Sequence, residues 1–148
     1  MKIDKNVEPL VRKALAAAVK RDPDLLATAL RAFPNDDAIR RGSELAIAVA
    51  GLVAIDIHSG RPTDSELRTL AQEIADSEAW AGFSADDVYT FLATMFAGRP
   101  VAEVLTPEKV SVLIFLVPAT LLSAFRREDE NWWDHLDRAE AAIEREQQ

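Results

Sequence analysis

The densest group of reactive side chains lies between Asp56 and Glu66, where Asp56, His58, Ser59, Arg61, Thr63, Asp64 and Glu66 share one short stretch. A histidine beside carboxylates has the makings of a general acid–base pair, here His58 with Asp56 or Glu66. The same residues also serve local structure. His58 falls where a helix should end, a position that favours a cation, and Thr63 with Glu66 has the spacing of a capping box. The stretch from Asp56 to Leu67 approximates the spacing of a calcium loop. It departs from that loop where the chemistry is strict: Arg61 stands where the sharp turn needs glycine, and Leu67 stands where a bidentate glutamate closes the site. Helix capping accounts for the cluster, and the alternative is an enzyme that uses the Asp56–Glu66 loop.

A second place of interest is the C-terminal segment. Trp132, Leu136, Ala139 and Ile143 recur at helical spacing and form an inward stripe. Trp133 is rotated about 100° from Trp132. It stacks with Asp137, Glu140 and Glu144, so a tryptophan stands on an acidic edge. Tryptophan is a favoured interface anchor, which makes Trp133, Asp137, Glu140 and Glu144 candidate interface residues. Intramolecular pairing would use them equally well. Residues 1–21 carry six bases and two acids, whereas residues 126–148 carry four bases and eight acids. The two terminal helices are therefore expected to touch, within one chain or between two, with Lys5, Arg12, Lys13 and Lys20 answering the acids and Trp133 lying beneath the first helix.

Other chemistries find no support. Two histidines without any cysteine do not make a tetrahedral zinc motif. The chain has no phosphate-cradling glycine loop and no nucleophile elbow, and no cofactor is expected. A net charge of −8 opposes binding to nucleic acid, which relies on lysine and arginine against phosphates. The lack of cysteine fits a reducing cytoplasm, and no apolar leader follows Met1.

The elements that must position these residues are all helical. The chain is expected to form one all-α domain over residues 1–148, with six or seven helices in a bundle-like or orthogonal packing around two apolar central ones. The central pair spans about 36–58 and 107–126. In the second of these, only Ser111, Thr120 and Ser123 interrupt an apolar run from Val110 to Phe125. A helix apolar on every side is buried on every side. The run is about 16 residues long, short of the roughly 20 that a bilayer needs, so a core helix is expected in place of a membrane span. Pro118 sits inside it and should kink or break the helix near Val117, because proline removes a hydrogen bond and clashes one turn back. Thr120 or Ser123 is placed to serve the freed carbonyls. If the kink opens a pocket, Ile114, Pro118 and Thr120 would line it for a small apolar ligand.

The helix over 36–58 should pack on the proline-bearing one, with alanines and Gly51 allowing close approach and Gly42 marking a break near its start. Five further helices are read at about 6–20, 23–33, 63–80, 84–97 and 131 onward, from caps such as Asp22, Asn35, Thr63 and Ser84. The functional expectation is a non-enzymatic, acidic interaction protein of the inhibitor or immunity type. It would bind a basic protein partner or itself as a homodimer. Small-ligand binding at Pro118 is the alternative.

Overall fold

The computed structural model describes residues 1–146. Among them are seven α-helices and no strand: α1 (Glu8–Val19), α2 (Pro23–Arg31), α3 (Asp36–Ile57), α4 (Asp64–Ser77), α5 (Ala85–Phe96), α6 (Pro107–Ala124) and α7 (Trp132–Arg145). Single 3-10 turns at Ala79–Ala81 and Val101–Glu103 join α4 to α5 and α5 to α6. The expected all-α architecture is what the chain forms.

The helix starts follow from local chemistry. Asp22 accepts from the Leu25 N–H at 3.0 Å, Asn35 from Ala38 at 2.9 Å and Ser84 from Asp87 at 3.1 Å. Each bond satisfies an amide that the helix itself leaves orphaned. Thr63 and Glu66 close the capping box in both directions, at 3.2 and 2.9 Å. Pro23 and Pro107 occupy first positions, where a missing N–H costs nothing.

α6 is the axis of the molecule. It packs on α1, α3, α5 and α7, and every residue from Leu113 to Ala119 is buried. By length and composition α6 could cross a bilayer, yet its apolar side chains are spent on the core, with more than half of the helix enclosed by its neighbours. The Phe115 ring meets Phe33 at 6.0 Å with a 42° tilt. α4 packs closely on α5, and α1 on α2.

Four sequence expectations need correction. Pro118 does not break α6, which continues without interruption to Ala124. Its ring is buried in the core, and Thr120 Oγ1 donates to the Leu116 carbonyl at 2.9 Å. Burial of Leu121 and Leu122 beyond the proline holds the last turn in helical register. Second, α3 is not buried all round: Ile39 and Ile55 are more than two-fifths exposed. α3 covers α1, α6 and α7 with one face and leaves Ile47, Ala48, Gly51 and Leu52 half-buried on the other. Third, the close approach lies at Gly42 and not at Gly51. An added Cβ at Gly42 would stand 2.6 Å from Phe33 Cε1, while one at Gly51 would meet nothing within 4 Å. Fourth, Gly42 marks no break; α3 runs through it.

Replacing Pro118 with alanine restores a helix hydrogen bond but removes a buried ring and shifts the fully enclosed Leu121 and Leu122. The void left by the ring is expected to outweigh the one regained hydrogen bond and to lower stability by about 1 kcal/mol. A thermal melt with a raised midpoint would contradict this.

Candidate binding surfaces around the last helix

α7 is held by long-range polar contacts at both of its edges. On one edge it reaches α1. Arg12 donates to Asp137 at 2.8 Å and to Glu140 at 3.2 Å, while also pairing with Glu8 one helical turn back at 2.9 Å. The terminal helices do touch, and the base is Arg12. Lys5, Lys13 and Lys20 take part in no ion pair among the described residues. One guanidinium thus faces three carboxylates. Glu140 is buried, and its second oxygen has no hydrogen-bond partner among the described residues. Burial first, and then Glu8, push the Glu140 carboxyl up to about 7.

Trp133 does not lie beneath α1. It is 46% exposed, with the half-buried Trp132 edge-on to it at 5.9 Å and 85°. Asp137 and Glu144 are exposed along the same edge. Of the expected acidic stripe, Trp133, Asp137 and Glu144 form an accessible edge, and Glu140 turns inward. Asp134 reaches back to accept from the Asn131 N–H at 2.8 Å, which fixes the first turn of α7 and with it the Trp133 side chain.

The other edge of α7 faces α3 across a solvent-open cleft of about 340 Å³. Its walls carry Leu52, Val53 and Asp56 from α3, with His135, Arg138, Ala139, Ala142 and Arg145 from α7 and Arg127 from the connecting loop. His135 is 3% exposed, and its Nδ1 lies 2.9 Å from the Leu122 carbonyl. A carbonyl only accepts, so Nδ1 carries the proton. Arg138 donates to Glu130 through Nε and Nη2, and this pairing holds the Glu130 carboxyl down to about 2. Glu130 also accepts from the Arg127 N–H at 2.8 Å, tying down the loop before α7.

The Asp56–Glu66 loop is scattered in space by its capping roles. His58 Nδ1 donates to the Ala54 carbonyl at 2.7 Å. Glu66 is held by Thr63, whose amide keeps the carboxyl below its usual range. Asp64 is bound by Tyr89 and Arg68, and Arg61 donates to the Phe96 carbonyl. Asp56 points away into the α3–α7 cleft. His58 and Glu66 do border a cleft of about 300 Å³ with Glu73 and Phe125. Of the residues expected to line a pocket at the proline, Ile114 and Pro118 are packed into the core. Thr120 borders a cleft of only about 130 Å³ beside Glu78 and Ser123, well below the roughly 300–1,000 Å³ of small-molecule sites.

Sequence reasoning missed the α3–α7 cleft and the burial of Glu140. The cleft draws on residues as far apart as Leu52 and Arg145, and the signal left in the sequence was Asp56 as a break in an apolar run. Among the described residues no cluster of His, Asp and Glu has the arrangement of a metal site. No family model, no curated protein and no solved structure matches this chain.

Proposed function

We propose that this chain is a non-enzymatic binding protein that docks a basic protein surface against the outward edge of α7, with Trp133 as its anchor. The observation that carries this reading is the Trp133 side chain, nearly half exposed on a helix that buries Leu136, Ala139 and Ile143. Tryptophan dominates interface energetics when a partner covers it. The edge-on Trp132 ring pre-orients it, which reduces the entropy lost on binding. Exposed Glu144 lies on the same edge, beyond Asp137 with its Arg12 partner, in a chain of net charge −8, so lysines and arginines on the partner complement the edge. A second copy of this chain fits less well, because a symmetric contact would set one acidic edge against another.

The test is Trp133→Ala, studied by calorimetric titration with a lysine-rich amphipathic helical peptide. The variant should keep the wild-type stability within about 0.5 kcal/mol, as exposed substitutions do. Binding should weaken with salt in the wild type and fall by roughly thirtyfold in the variant, the scale of one interface hot spot. Equal binding by the two proteins would sink the reading. Sedimentation showing a dimer that Trp133→Ala dissociates would assign the same edge to self-association instead.

A further inference from the structure

We propose that Glu140 is a proton-operated catch on α7: while its carboxyl is neutral the helix lies closed against α1, and once it ionises α7 opens as a unit from a body that stays folded. The seam between the two helices carries this. Among the described residues, Arg12 is the one ion-pair partner of Glu8, Asp137 and Glu140, at 2.9, 2.8 and 3.2 Å. With all four groups charged, one guanidinium leaves two carboxylates unbalanced. Asp137 shares its charge with solvent, because its side chain is 61% exposed. Glu140 does not: its side chain is 12% exposed, and Oε2 is closed to solvent and has no donor among the described residues. Such an oxygen is costly as part of an anion and tolerated as part of a neutral carboxyl.

The surroundings offer no second cation. From α1, Glu140 is faced by Glu8 and Arg12, and along its own helix by Asp137 and Glu144. α6 carries no charge from Val110 to Ala124. Asp56, which α3 brings to α7, lies on the other edge with Arg138. Burial and then Glu8 raise the closed carboxyl to about 7, and the opened helix returns it to solvent and its ordinary 4.5. Closure is therefore favoured in full below 4.5, and opening grows as pH rises from there through 7.

α7 is also the helix that can leave alone. Leu136, Ala139 and Ile143 hold it to the body, together with the His135–Leu122 hydrogen bond and the Arg12 cluster. Its ties through Arg138 to Glu130 and through Asp134 to Asn131 belong to its own entry loop and travel with it. α6 keeps α1, α3 and α5 as packing partners without it. Sub-global opening of this kind is drawn from elements with few ties.

The test is hydrogen exchange of the full chain across the acid-to-alkaline range, with each rate corrected for the intrinsic pH dependence of exchange. Protection of the wild-type α7 amides should fall by roughly ten- to hundredfold more than in Glu140→Gln, and the gap should stop widening once Glu140 is ionised. The variant keeps His135 and Glu130, so the ratio isolates Glu140. Glu8→Gln, on the other helix, should narrow the gap, and Arg12→Ala should widen it. The α7 amides should also exchange at least tenfold faster than the slowest amides of α6, which open with the whole chain. A carboxyl carbon titration of the wild type should place Glu140 well above the exposed Glu144. The proposal fails if Glu140 titrates with Glu144, or if wild type and Glu140→Gln lose α7 protection in parallel. It also fails if α7 and α6 exchange together at every pH, since α7 then leaves only with the whole fold.

Discussion

Glu140→Gln should melt well above the wild type at about pH 8 and close to it at about pH 4. The folded carboxyl is held up at about 7 against a usual value of 4.5. Its folded state therefore favours the protonated form, and the stability this supplies is complete below 4.5 and lost as pH rises through 7. Glutamine imitates the protonated carboxyl at every pH. It also leaves Arg12 with Glu8 and Asp137 as partners. The difference between the two proteins should grow across that window to ~1–3 kcal/mol in favour of the variant. Comparison against the wild type at each pH cancels the other titrating groups, among them the depressed Glu130. A pair of melting curves that run parallel from acid to alkaline pH would show that Glu140 is solvated and not strained. Burial would then have been offset by Arg12.

The two glycines of α3 should respond with opposite signs. Gly42→Ala is expected to lose about 1–3 kcal/mol, because the new methyl would collide with the buried Phe33 ring and crowd Val11. That cost outweighs the ~1 kcal/mol that alanine gains over glycine inside a helix. Gly51→Ala meets open space and should gain about 0.5–1 kcal/mol. Denaturant melts of the two variants check both signs at once. If Gly42→Ala is neutral, Phe33 has room to swing away, and its contact with Phe115 is weaker than the geometry implies.

The difference between these glycines shows where sequence reasoning stops. Caps at Asp22, Asn35, Thr63, Ser84 and Thr106 are local chemistry, and each was readable because donor and acceptor lie three residues apart. The pairing of the two apolar helices followed from their composition. Which glycine faces a neighbour did not. It depends on Phe33, which lies outside any helix and folds back across α3. Likewise the sequence placed acids and bases at opposite ends of the chain, and so indicated that the ends meet. It offered several bases equally, and only the packing angle of α1 singles out Arg12. The α3–α7 cleft is a product of two surfaces whose residues are scattered between positions 52 and 145, and no local pattern marks it.

The Arg12 cluster also sets an order on synthesis. Arg12 is separated from Asp137 and Glu140 by 125 and 128 positions, and α1 rests mainly on α6. On a ribosome adding ~5–20 residues per second, α1 leaves the exit tunnel several seconds before either partner exists. During that interval its apolar face, with Val11, Ala14, Leu15 and Ala18, has only α2 and then α3 to lean on. The apolar face of α1 therefore stays incompletely covered until α6 is made. Arg12 then closes on the acids of α7, so that a helix made later secures one made earlier.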